Sequence, residues 1–292
     1  MATFKDYYEL TKPRLSFLSV FTALIAYWMA PKAMLYSATV PYFMALVFGV
    51  ALCAAGAAVL NQWMEFRADA LMERTKARPI PQKLIQPLHA LAFGIILSSG
   101  GLFVLFLNTN ALTGGLAFLT IASYLWVYTP LKKVSPINTV VGAIPGALPV
   151  LIGWSSATGT LDTLGWLLFA ILFFWQMPHF YALSWLYKKD YASAGFRMLS
   201  KEDDDGSIVA RKSFLYGLFL VVVSLLPTFF GYASALYLVF ASLLNLYLMA
   251  KAYQFLSQTE RTQNAQKLFL ATLAYLPLLY SLLLLDHLFI AF

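Results

Sequence analysis

The chain has 292 residues, of which 61% are apolar or aromatic and only 11% are charged; its formal net charge is +7 and its mean hydropathy +0.72. Ordinary soluble domains carry about a quarter charged residues. The composition therefore excludes a soluble enzyme, a disordered chain and a disulfide scaffold, and points to a multi-pass membrane protein. With Cys53 as the single cysteine, an intrachain disulfide and a cysteine-based metal cluster are excluded as well.

A membrane-spanning helix needs about 20 mostly apolar residues. Nine runs meet that requirement, near residues 15–31, 42–63, 88–107, 111–128, 138–157, 163–186, 213–230, 232–250 and 268–290. Gly114–Gly115 and Pro145/Pro149 interrupt the fourth and fifth, which a helix packed among other helices tolerates. The first run begins too late, after too polar a segment, for a cleaved signal peptide. The expected fold class is an all-α integral membrane protein, a single membrane domain over 1–292.

Charge sets the expected topology. All of the 20 Lys and Arg residues except Lys32 fall at the N-terminus or in the loops after runs 2, 4, 6 and 8. By the positive-inside rule the N-terminus is cytoplasmic and the C-terminus outside. Topology accounts for most of the positive charge, which is no sign of nucleic acid. The long cytoplasmic loops 64–87 and 187–212 are where function is to be sought.

Asn61, Glu65 and Asp69 are spaced i, i+4, i+8 on a helix that continues run 2 and that Pro79 and Pro81 are expected to stop. Two carboxylates and an amide on one face make a hard oxygen surface suited to magnesium. Arg74 and Arg78 beyond them suit bidentate recognition of phosphate. Each residue alone also fits a solvated helix end with exposed ion pairs; the set together reads as a magnesium–diphosphate site. Tyr128, Lys132 and Lys133 after run 4 fit an ordinary membrane interface when taken alone. Gln176 and His179, one turn apart inside run 6 and flanking Pro178, are intramembrane polar residues, serving either function or an interhelical hydrogen bond. Asp190 offers a second acid on the cytoplasmic side. The acids Glu202–Asp205 read as a solvated loop, and Asp286 and His287 as interfacial.

These clusters, in this order, resemble the UbiA family of intramembrane prenyltransferases over essentially the whole chain. The stretches that carry the resemblance begin with Asn61-Gln62-x-x-Glu65-x-x-x-Asp69-x-x-Met72-x-Arg74-Thr75-x-x-Arg78-Pro79 and Tyr128-Thr129-x-Leu131-Lys132-Lys133. Asn138, Gly142, Gly146, Pro149 and Gly153-Trp154 follow, then Trp175-Gln176-x-Pro178-His179-Phe180 and Asp190-Tyr191-x-x-Ala194-Gly195-x-x-Met198-Leu199. The Arg-Thr and Trp-Gln-x-Pro-His-Phe stretches resemble the branch that farnesylates haem rather than the branches that prenylate quinone precursors.

The resemblance implies a nine-helix bundle in the cell inner membrane, with a cavity opening to the cytoplasm and sideways to the lipid bilayer. It implies farnesyl diphosphate and haem B as substrates and Mg2+ as cofactor, and names a downstream haem A synthase as a partner. Asn61, Glu65, Asp69 and Asp190 would hold the metal; Arg74, Arg78, Lys132, Lys133, Tyr128 and Lys188 would bind diphosphate; His179 would sit beside the haem. Trp63, Phe66 and Trp175 would supply rings to stabilise an allylic cation. The chain departs from the family pattern at Gln62, where many members have Asp, at Ala194, where a second acid is usual, and at Arg197 with the following Ser200–Asp205 segment. The alternatives are prenylation of an aromatic or quinone precursor, and transport of an anion or lipid through the same buried charges.

Overall fold

The computed structural model describes residues 2–30 and 40–289, and every regular element among them is helical. In chain order these are α1 (Phe4–Leu10), α2 (Pro13–Trp28), α3 (Val40–Asp69), α4 (Pro87–Asn108), α5 (Ala111–Ala122), a π-helical turn (Ser123–Tyr128), α6 (Thr129–Leu131) and α7 (Asn138–Thr158). There follow α8 (Thr163–Leu186), α9 (Lys188–Ser193), α10 (Ser207–Phe229), α11 (Ala235–Leu256) and α12 (Arg261–Phe289). Eight helical segments among the described residues are long and apolar enough to cross a membrane. The first apolar run is α2, which at 16 residues is shorter than a full span. Lys32, on which the outer charge count rests, lies outside the described residues, as do the last residue of that run and residue 290 of the ninth.

The described residues form two compact units interleaved along the chain, 1–134 with 148–161 and 189–196, and 135–147 with 162–188 and 197–292. In the first, α1 starts with a capping box: Thr3 and Asp6 exchange side-chain and backbone hydrogen bonds, satisfying two helix-start donors. α1 ends at the fully buried Leu10, whose carbonyl accepts a 2.6 Å hydrogen bond from Gln62 Nε2. Gln62, the departure from the family acid, thus ties α1 to α3. Trp63 and Phe66 pack with Leu10, Val59, Ile80, Ile85 and Ala90 in one apolar cluster. Tyr7, Phe93 and Leu97 pack against the same cluster.

α3 and α4 meet along small residues, Gly49, Cys53 and Gly56 facing Gly94, Ser98 and Gly101. In lipid, where apolar burial between helices gives no advantage over tails, such stripes let backbones approach closely. A Cβ on Gly101 would stand 2.7 Å from the Cys53 amide nitrogen and 2.8 Å from the Gly49 carbonyl oxygen. Gly101→Val is therefore expected to destabilise the chain by about 1–3 kcal/mol, while Gly100→Val, whose Cβ meets nothing within 4 Å, is the control. Thermal unfolding in detergent measures the difference.

In the second unit Ala143, Met177, Tyr181 and Val209 form an apolar core with Phe173, Trp185 and Tyr216 against it. Gln176 Nε2 donates to the Ala143 carbonyl at 3.1 Å, a bond between α7 and α8 that leaves Gln176 a structural residue. Asp286 is buried and accepts from the backbone N–H (2.8 Å) and the hydroxyl of Ser234, the residue that caps the start of α11.

Candidate functional site

At about 1.5 Å per residue, the 30-residue α3 is some 45 Å long against a hydrocarbon core of about 30 Å. Its last turns therefore have length to spare, and those turns carry the acids. Asn61, Glu65 and Asp69 are all buried, and Asn61 Nδ2 donates to Glu65 Oε2 at 2.9 Å, as the i, i+4 spacing requires. α3 stops at Asp69, ten residues before the expected prolines. There the chain turns, and the Thr75 hydroxyl donates to the Asp69 carbonyl at 2.9 Å, satisfying one of the helix-end acceptors. The early stop takes Arg78 off the helix and folds it back: its guanidinium donates to Asp69 Oδ2 at 2.7 Å.

Lys132 reaches the same acids through a second irregularity. Pro130 has no N–H to continue an α-helical ladder, and the segment before it winds as the π-helical turn, with Thr129 donating from both backbone and side chain to the Tyr124 carbonyl. Such turns recur at functional sites. The Thr129 hydroxyl accepts from Asn61 Nδ2 at 3.2 Å, and Lys132 Nζ donates to Glu65 Oε2 at 3.0 Å. The Lys132 ammonium stands over the rings of Tyr128 (4.6 Å) and Phe196 (5.7 Å). Burial opposes its charge, but the neighbouring Tyr128 and Glu65 outweigh that and hold it protonated above the usual lysine range.

Lys12, counted from the sequence only toward topology, also belongs here. Its Nζ donates to Asn61 Oδ1 at 3.2 Å. Burial, with Arg78 and Lys132 nearby, lowers its pKa to about 7. Its backbone holds a left-handed conformation (φ 46°), which costs a non-glycine residue about 1–2 kcal/mol. A lysine preceding Pro13 at the first helical position carries no sequence signal of that reach. Tyr124 and Phe196 were missed for the same reason, since nothing in their spacing relates them to α3, and Thr129 was read only as part of the stretch Tyr128-Thr129-x-Leu131-Lys132-Lys133.

The remaining predicted residues divide. Asp190 Oδ2 accepts from the Arg74 backbone N–H at 3.3 Å, and Ser193 Oγ donates to the Leu71 carbonyl at 3.0 Å, so α9 docks on the turn that follows Asp69. The Arg74 side chain lies over the Tyr191 ring at 5.9 Å. Lys133 is exposed. Lys188 Nζ donates to the Asp203 carbonyl at 2.8 Å within the acidic loop. That loop is less solvated than its composition suggests, because Asp203 is buried and accepts the Val209 N–H at 2.8 Å.

His179, in the other unit, forms its own cluster. Its ring is stacked between Trp175 (centroids 5.1 Å apart) and Phe269 (4.8 Å), and its Nδ1 is 2.9 Å from Thr272 Oγ1. Trp175 Nε1 donates to the Thr272 carbonyl at 2.8 Å.

Among the described residues, no three His, Cys, Asp or Glu side chains converge as a ready metal cage. The donor chemistry on α3 still fits a hard cation. Among the described residues Glu65 Oε1 is a buried carboxylate oxygen with no hydrogen-bond partner, an acceptor a cation would satisfy. Facing bases and paired acids give one surface that can hold an anion and a cation together.

Comparison with known proteins agrees with this geometry. The family model described as the UbiA prenyltransferase family matches residues 19–273. The chain is 43% identical over 290 residues to a relative named protoheme IX farnesyltransferase from Opitutus terrae, covering 99% of this chain and 97% of the relative. Among solved structures it resembles digeranylgeranylglyceryl phosphate synthase (TM-score 0.80, 15% identity, 97% and 98% of the two chains). It also resembles a UbiA homologue from Archaeoglobus fulgidus bound to GPP and Mg2+ (TM-score 0.67, 12% identity, 95% and 99%). An all-helical fold, acids and bases gathered at the end of α3, and a family model matching most of its length agree: the chain belongs to the UbiA prenyltransferase family.

Proposed function

We propose that the chain is a protohaem IX farnesyltransferase, moving the farnesyl group of farnesyl diphosphate to a vinyl group of haem B with addition of water. The observation that carries this reading is the interlocked set Asn61, Glu65, Asp69, Lys132 and Arg78, with Glu65 Oε1 unpartnered. The 43% identity to a relative of that name over nearly the full length supports the choice of acceptor.

Asn61, Glu65 and Asp69, with Asp190 from α9, would hold magnesium. When bound, the metal would neutralise charge on the diphosphate and make it a better leaving group. Lys132 and Arg78 would turn from their carboxylates to the diphosphate oxygens, with Arg74, Lys133 and Tyr128 completing the grip; Lys188 is left to the acidic loop. These donors stabilise the charge that develops as the C–O bond breaks. The allylic cation requires a site without water, which the apolar bundle supplies, with Tyr124, Tyr128 and Phe196 as its aromatic neighbours around Lys132. The terminal vinyl carbon of the haem bonds to the farnesyl cation, and water adds at the carbon beside the pyrrole and gives up a proton. His179 would face the haem.

In the same reading the chain is one membrane domain of nine spans in the cell inner membrane, with α2 as the first span, the N-terminus cytoplasmic and the C-terminus outside. Placing 19 of 20 Lys and Arg residues on the cytoplasmic side supports that orientation.

The test is mass spectrometry of haem recovered from purified protein given haem B, farnesyl diphosphate and magnesium. The expected product gains one farnesyl group and one water. A chelator is expected to stop diphosphate release, and added magnesium to restore it. Diphosphate release with unmodified haem would redirect the assignment to a quinone precursor, and neither product from folded protein would favour transport.

A further inference from the structure

We propose that Thr272 fixes the tautomer of His179, placing the ring proton on Nδ1 and leaving Nε2 as a lone-pair donor to the iron of the haem substrate. This rests on the reading above that His179 faces the haem.

The Thr272 hydroxyl has one proton and two candidate acceptors. Its oxygen lies 2.6 Å from the Phe269 carbonyl oxygen and 2.9 Å from His179 Nδ1. Two oxygens at 2.6 Å with no hydrogen between them would press lone pair against lone pair, so the proton lies on the line to Phe269. The hydroxyl can then only accept from His179, and Nδ1 must carry the proton. Thr272 itself is fully buried, and its backbone carbonyl is held by the Trp175 indole N–H at 2.8 Å, so the acceptor is fixed in place.

Stacking by Trp175 and Phe269 fixes the plane of the imidazole ring, and Nε2 makes no hydrogen bond among the described residues. A neutral imidazole whose Nδ1–H is held by an outer acceptor is the form in which histidine ligates metals, and the acceptor raises the basicity of the ligating nitrogen. The opposite assignment, an Nε2–H donating to a haem carboxylate, would require Thr272 to give Nδ1 the proton that the Phe269 carbonyl already holds. Thr272 is thus a positioning residue, acting through His179.

The experiment uses the full chain in detergent with ferrous haem B, reading haem affinity by titration and the iron–histidine stretching band by resonance Raman spectroscopy. Thr272→Val is expected to move the band to lower frequency and weaken haem affinity by about tenfold or more, and Thr272→Ser to restore both. Thr272→Ala removes the same acceptor in a smaller side chain and reads the same bond should the valine methyl not fit. His179→Ala is expected to abolish the band. A band that persists in His179→Ala would overturn the placement of haem at His179. A band lost in His179→Ala but unchanged, with unchanged affinity, in both Thr272→Val and Thr272→Ala would overturn the role of Thr272 alone.

Discussion

Replacing Asp69 by Ala is expected to lower farnesyl transfer by about 10²–10³-fold while the protein still folds. Asp69 is 1% exposed and closes α3, yet the group it leaves behind is the Arg78 guanidinium, whose side chain is 24% exposed and can find water. The structural loss is therefore smaller than for a fully buried pair, and the catalytic loss dominates. Asp69→Asn keeps the shape of the side chain and removes its charge, and is expected to fall as far as Asp69→Ala. Diphosphate release and the α-helical circular dichroism of the same samples separate the two effects. Full turnover in either variant would sink the magnesium assignment.

Lys132→Met is expected to act on both stability and turnover. Lys132 and Glu65 side chains are 13% and 7% exposed, so removing the lysine strands a carboxylate whose second oxygen already has no partner. Breaking a buried pair from one side costs about 3–5 kcal/mol, whereas replacing both partners by neutral groups is often close to neutral. The single variant should therefore melt well below wild type in detergent, and Lys132→Met combined with Glu65→Gln should regain most of that loss. The double variant should still fail to release diphosphate. A double variant that melts no higher than Lys132→Met would show that the lysine matters for packing over Tyr128 and Phe196 and not for its pairing.

The helical character, the membrane setting and the face shared by Asn61, Glu65 and Asp69 could be read from the sequence because each rests on local spacing. Helix periodicity puts i, i+4 and i+8 together wherever the helix goes. The end of α3 could not be read in the same way: Pro79 and Pro81 are visible breakers, but the Thr75 hydroxyl on the Asp69 carbonyl is a tertiary choice. Lys12 and Thr129 reach Asn61 from 49 and 68 residues away, and only the fold brings them there. Gln176 and His179, one turn apart on α8, read either as functional residues or as interhelical hydrogen bonds, and each makes such a bond, one to α7 and the other to α12. Trp63 and Phe66 beside the acids pack against the cluster of Leu10, Val59, Ile80, Ile85 and Ala90, a contact that local spacing does not reveal.

The pairing of Glu65 with Lys132 and of Asp69 with Arg78 also bears on the order in which ligands arrive. A bare divalent cation would draw the carboxylates away and leave the two bases repelling one another. A bare diphosphate would draw the bases away and leave the carboxylates in the same position. Cation and anion entering as one complex disturb neither balance, since each half of the site exchanges its old counter-ion for a new one in the same event. Under the proposed function, the resting pairs would therefore favour the two ions arriving together over either one alone.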